Sequence, residues 1–115
     1  MEIRETREYL IITPLSSVLD LRESERLFSE INLTKKKPAL DMNSVTECSI
    51  DFLNKLIEYT KSKDISLFNI NSDVFALFNF MKIDKFAKLF VSELDFIEDS
   101  RQIINRNFLL LRKAS

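Results

Sequence analysis

Apolar positions along this chain alternate between a spacing of two and a spacing of three to four, and each change marks a new element. Residues 2–6 and 8–13 have strand character, the second the stronger through Tyr9, Leu10, Ile11 and Ile12. Pro14 ends that ladder, because it has no N–H to give. From about 21 to 33, Leu27, Phe28 and Ile31 share one face while Arg22, Glu23, Glu25, Arg26 and Glu30 cover the other, which is an amphipathic helix. A short buried strand over 39–42 follows Pro38, and Asn43-Ser44 is turn chemistry. Ser49 stands before a second helix over about 50–63, with Ile50, Leu53, Leu56 and Ile57 as its inner face.

The pattern next predicts a strand over 65–69 and a third helix from a Ser72/Asp73 cap, burying Val74, Leu77, Phe78 and Met81. A last short strand falls at 88–91. Ser92 then opens a final helix over about 93–113, with Glu93, Asp95, Glu98 and Asp99 near the favourable end of its dipole. Ile97, Ile104, Phe108 and Leu111 run along one side of it. This order is an α/β fold with a mixed central sheet of about five strands and four helices. Short parallel crossovers would lay the helices on the sheet in right-handed units. No repeat or linker interrupts residues 1–115, and a chain of 115 residues has room for one core, so a single domain is expected. Ile11, Leu40, Leu53, Leu56, Leu67, Leu77 and Phe90 are the expected core positions.

Composition narrows the chemistry. The chain has no His, which removes imidazole ligands, Ser–His pairs and a switch near neutral pH. It has no Gly, although about eight would be average for this length, so neither a P-loop nor a GxGxxG cradle can be built. Every turn must also manage without the residue that accepts positive φ at least cost. A lone Cys48 excludes an internal disulfide and any CxxC site. With no Lys, Arg or His beside it, it reads as a small buried hydrophobe and not as a reactive thiol. Lys+Arg 17 against Asp+Glu 18 carries no overall attraction to nucleic acid or to an anionic membrane. MEIRETREYL lacks the apolar centre of a signal peptide and no apolar run is long enough to span a bilayer, so a cytoplasmic protein is expected. Nothing pairs a nucleophile with a base, and the acidic residues 93–99 wrap around their helix without converging; no enzyme, metal or cofactor is expected.

Three stretches together resemble the STAS domain, the module of anti-sigma factor antagonists and of sulphate transporter tails. They are YLIITPLSSVLDLRESERL, PALDMNSVTECSIDFLNKL and ISLFNINSDVFALFNFMKIDKFAKLF, and the likeness covers nearly all of 1–104. It implies a binding module acting on a protein partner of the anti-sigma factor or serine-kinase type. In that family an Asp-Ser-Ser/Thr-Gly word opens the second helix, and its first hydroxyl residue is phosphorylated by the partner. The phosphate adds about −1.5 to −2 charge at the docking surface and blocks the complex.

Here that word falls on Ser49, Ile50, Asp51 and Phe52, so Ile50 stands at the acceptor position and offers no hydroxyl. Asp20 matches the family's aspartate beside the switch, and Ser17 replaces a glycine three residues earlier. The resemblance thus implies a docking surface of Asp20, Ser49, Ile50, Asp51 and Asn54 that phosphate at the usual position does not switch. Ser49 is either a displaced phosphoacceptor or, more simply, an N-cap. Asp51 is either a fixed mimic of phosphate or a first-turn acid complementing the dipole.

Outside that surface, Phe75 and Phe80 beside Phe78 depart from the inward stripe of the third helix. Leu109 and Leu110 do the same near the C-terminus, where they suit a homodimer contact. A second functional expectation rests on those faces: a STAS subunit of a larger assembly, such as a lipid-transport ABC complex or a stress-signalling scaffold.

Overall fold

The computed structural model of the protein describes residues 1–101. The chain starts with an antiparallel pair, β1 (Glu2–Glu5) and β2 (Tyr9–Thr13). A two-residue strand β3 (Val18–Leu19) leads into α1 (Leu21–Leu33), and β4 (Lys37–Asp41) returns through the sheet. A second short strand β5 (Glu47–Cys48) leads into α2 (Ile50–Tyr59), followed by β6 (Ser66–Phe68) and α3 (Ser72–Phe80). A 3-10 turn (Ile83–Lys85), β7 (Lys88–Leu89) and α4 (Glu93–Arg101) complete the order. The main sheet runs β1-β2-β4-β6-β7, with β2, β4, β6 and β7 parallel, so the expected mixed sheet is present.

Strand alternation sends side chains to two unlike faces. Leu10, Ile12, Leu40 and Leu67 meet the buried stripes of α1, α2 and α3 in the main core. Tyr9, Ile11, Ala39 and Phe68 point the other way and are covered by Phe96 of α4. Of the expected core, Leu77 and Phe90 are only half-buried at the borders of these clusters, and the rest are buried.

Several boundaries differ from the pattern. Strand β4 includes Pro38, which sits opposite Leu10. The N–H of Lys37 donates to Glu8 on the β2 side, so the next nitrogen faces β6, whose register begins only at Ala39. No ladder bond is lost there. Helix α2 stops at Tyr59, short of the expected 63, and polar side chains take its free carbonyls: Thr60 Oγ1 donates to Ile57 O at 2.7 Å and Ser62 Oγ to Tyr59 O at 3.3 Å. Helix α3 is capped by Asn71, not by Ser72 or Asp73, since Asn71 Oδ1 accepts from both Asp73 N and Val74 N. In α4 the buried anchor is Phe96, with Ile97 partly buried beside it. Ile104, Phe108, Leu109, Leu110 and Leu111 lie outside the described residues.

With no glycine available, positive φ falls on Asn69 (55°) and Lys82 (58°) among the described residues. Asn is the ordinary substitute there, because its short polar side chain bonds locally. Asn69 Oδ1 accepts from Glu93 N at 3.0 Å and its Nδ2 donates to Asp41 Oδ1 at 3.1 Å, tying β4, β6 and α4 together. Lys82 has no comparable local bond.

Candidate functional site

The starts of α1 and α2 are brought side by side by β3 and β5. These strands pair in parallel, Val18 opposite Glu47 and Leu19 opposite Cys48. The carbonyl of Ser17 holds the entry to this ladder by accepting from Thr46 N at 2.8 Å, Glu47 N at 3.1 Å and Thr46 Oγ1 at 3.2 Å. Ser49 N then donates to Leu19 O at 2.9 Å. The residues that follow the ladder, Asp20 and Ser49, are the N-caps of the two helices.

Both caps use their side chains locally. Asp20 Oδ1 accepts from Glu23 N at 2.9 Å, and its carbonyl accepts from Ser24 Oγ at 2.6 Å. Ser49 Oγ accepts from Phe52 N at 3.2 Å, so the cap role expected of this serine is observed. Asp51 is exposed in the first turn of α2, where it complements the helix dipole. Asn54 is exposed one turn further on.

Ile50 is the principal correction. It was expected on the inner face of α2, yet it is 62% exposed. The inward face is Phe52, Leu53 and Leu56, with Phe52 fully buried against Phe28 at a ring separation of 5.7 Å. A face centred on Phe52 satisfies helical spacing as well as one centred on Ile50, and only the angle at which α2 meets the sheet separates them. Leu15, Val18 and Leu21 are likewise exposed around the same edge. Pattern reading did not single them out, because isolated apolar residues in a loop, a two-residue strand or a helix's first position carry no period.

Burial pushes the Cys48 thiol up to about 12, which makes it a poor nucleophile near neutral pH. Among the described residues, no group of His, Cys, Asp or Glu side chains could hold a metal ion. No helix among them is long and apolar enough to cross a membrane.

No protein-family model matches the sequence, and no curated protein matches it. A solved structure does. The crystal structure of a proposed anti-sigma factor antagonist from Thermotoga maritima aligns with a TM-score of 0.73, covering 87% of this chain and 93% of that one. The fold is that of the STAS-type anti-sigma factor antagonists. At 17% identity the likeness to that antagonist is one of architecture, as the sequence resemblance implied. The paired caps Asp20 and Ser49 and the exposed Ile50 lie together at the edge formed by β3 and β5.

Proposed function

We propose that this protein is a non-catalytic regulatory module that binds a partner of the anti-sigma factor or serine-kinase type through Asp20, Ser49, Ile50, Asp51 and Asn54. It acts in the cytoplasm, through protein contacts and not through nucleic acid or membrane insertion. The observation that carries this reading is the exposure of Ile50 at the first turn of α2, beside the Asp20 cap. An exposed isoleucine flanked by polar caps suits a docking surface, since buried apolar contacts dominate interface energetics while a polar rim supplies orientation.

The same residue makes binding insensitive to phosphate at the family's position. The hydroxyl of Ser49, half-buried, already caps α2, which disfavours a displaced acceptor. Incubation with a purified anti-sigma serine kinase and ATP, followed by peptide mapping, tests the reading. The wild type should bind the kinase with or without ATP and carry no phosphate on 49–51, whereas Ile50→Ser should become a substrate and lose binding when ATP is added. Stoichiometric phosphate on Ser49, abolished by Ser49→Ala, would show that the acceptor has moved by one residue.

The exposed Phe80 on α3 and Leu94 on α4 favour a second reading, a STAS subunit of a larger assembly such as a lipid-transport ABC complex or a stress-signalling scaffold. Binding to a purified transporter ATPase, lost in Phe80→Asp but kept in Ile50→Asp, would select it.

A further inference from the structure

The net charge of −1 conceals a separation of charge along the strand direction. At one end lie the connections that lead from parallel strands into helices, residues 14–20, 42–49, 69–71 and 90–92, and they contain no Lys or Arg. At the opposite end lie the returns from helix to strand, residues 34–36, 60–65 and 81–87. Each return carries two lysines, Lys35 and Lys36, Lys61 and Lys63, Lys82 and Lys85, against the acids Asp64 and Asp84, so this end keeps an excess of positive charge.

Helix dipoles do not account for the whole of this. They favour the acids in the first turns, but their reach ends within the last turn, and α1, α2 and α3 have no base there. The lysines stand beyond the helices.

Each end also exposes apolar side chains among its charges. At the acidic end, Leu21 and Ile50 are exposed at equivalent first positions of α1 and α2, with exposed Asp20, Glu47 and Asp51 beside them and one exposed base, Arg22, next to Leu21. At the basic end, α1 finishes on Leu33, which is 76% exposed and opens one groove with Lys35, Lys36, Lys37 and Lys63, where the one acid, Asp64, is paired with Lys88 at 3.7 Å. Lys36 reaches Glu5 at 3.2 Å, and Lys63 donates to the Thr34 carbonyl. Among the described residues, Lys35 and Lys37 have no carboxylate within ion-pair distance.

We propose that these two ends are mutual docking surfaces: the acidic end of one copy, with Leu21 and Ile50, seats on the basic end of a second copy, with Leu33, Lys35 and Lys37. Charge selects this arrangement. Two acidic ends or two basic ends repel, whereas opposite ends match in sign around an apolar centre. A contact between two different surfaces is heterologous, so it extends into chains or rings and does not stop at a symmetric pair. The regulatory partner proposed above would compete with a second copy for Ile50, and self-association itself needs no such partner.

Sedimentation velocity of the full chain, over a range of concentrations at about 0.02 M and about 0.5 M salt, tests it, since screening at the higher value shortens electrostatic reach to a few ångströms. Expected are species larger than a dimer at low salt that dissociate at high salt. Glu47→Lys/Asp51→Lys reverses the acidic end, and Lys35→Glu/Lys37→Glu reverses the basic end. Each should weaken self-association at least about tenfold when alone. Mixed in equal amounts the two variants regain complementary ends and should associate again, which a misfolded variant would not do. A wild type that stays monomeric at low salt overturns the proposal, as does a salt-insensitive dimer or a mixture that fails to recover association.

Discussion

On one side of the sheet three helices interlock; on the other, α4 leans on a single ring. The strands serve both sides equally, since alternate residues of β2, β4 and β6 face each way. The three-helix side is redundant. Phe28 stacks on Tyr59 at 4.9 Å and touches Phe52 at 5.7 Å, and Leu27, Ile31, Leu53 and Leu56 fill the space around them. The α4 side converges on Phe96, which stacks on Phe68 at 4.8 Å and meets Tyr9 edge-on at 4.9 Å and Phe90 at 5.6 Å. Polar ties add to it, among them the Asn69 bond to Glu93 N and the Arg4–Glu93 ion pair at 3.0 Å. A helix so held is expected to open as a local unit, and the three-helix side only with the whole fold.

Truncating the centre of each side separates the two most strongly. Phe28→Ala should cost about 4 kcal/mol, by loss of transfer energy plus a cavity, and lower the urea midpoint of the whole chain. Phe96→Ala should cost about 3 kcal/mol and act locally. Hydrogen exchange should then speed up in α4 before it does in β4. Equal acceleration everywhere would mean that both sides belong to one cooperative unit.

Asn69 and Lys82 sharpen the contrast at smaller scale, because both have positive φ but only Asn69 ties α4 to the sheet. Asn69→Gly keeps the backbone comfortable yet removes two side-chain bonds, and should destabilise by about 1–2 kcal/mol in chemical unfolding. Lys82→Gly relieves a lysine of a left-handed conformation and should stabilise by about 0.5–1 kcal/mol. Opposite signs for the same substitution would show that Asn69 is kept for its bonds and not for its backbone.

The smallest effect at neutral pH belongs to the ionisable groups held above their ordinary values. Burial raises the Cys48 thiol from 9.0 to about 12, and burial, then the charges of Asp64, Glu8 and Asp99, raises the Tyr9 hydroxyl above 10.0. Between the ordinary and the raised values the folded state holds more protons than the unfolded chain, so stability falls as pH rises through that window. Below about 9 these groups leave stability unchanged. A urea midpoint followed from neutral to alkaline pH should fall less steeply in Cys48→Ala than in the wild type.

Local chemistry made much of this legible in advance. Ser49 caps α2 through a bond to an N–H three residues away, and the span of α1 follows from one uninterrupted amphipathic stripe, although the Asp20 cap of that helix was not singled out. Signals of that range are complete within a few residues of chain. The overrun of α2 has the converse cause: no Gly or Pro marks its end, which the hydroxyls of Thr60 and Ser62 complete.

By itself, then, the sequence determined the order of the five main-sheet strands and four helices, the acidic first turns and the absence of imidazole and glycine-loop chemistry, because each depends on composition or on neighbours along the chain. Only the tertiary structure decided that Ile50 faces outward, that β3 and β5 pair and align two helix caps, and that Phe96 anchors α4. Two-residue strands have no readable period, and two helix faces of equal spacing are told apart only by the surface they meet. Those contacts join residues 28 or 29 positions apart, and no local pattern encodes them.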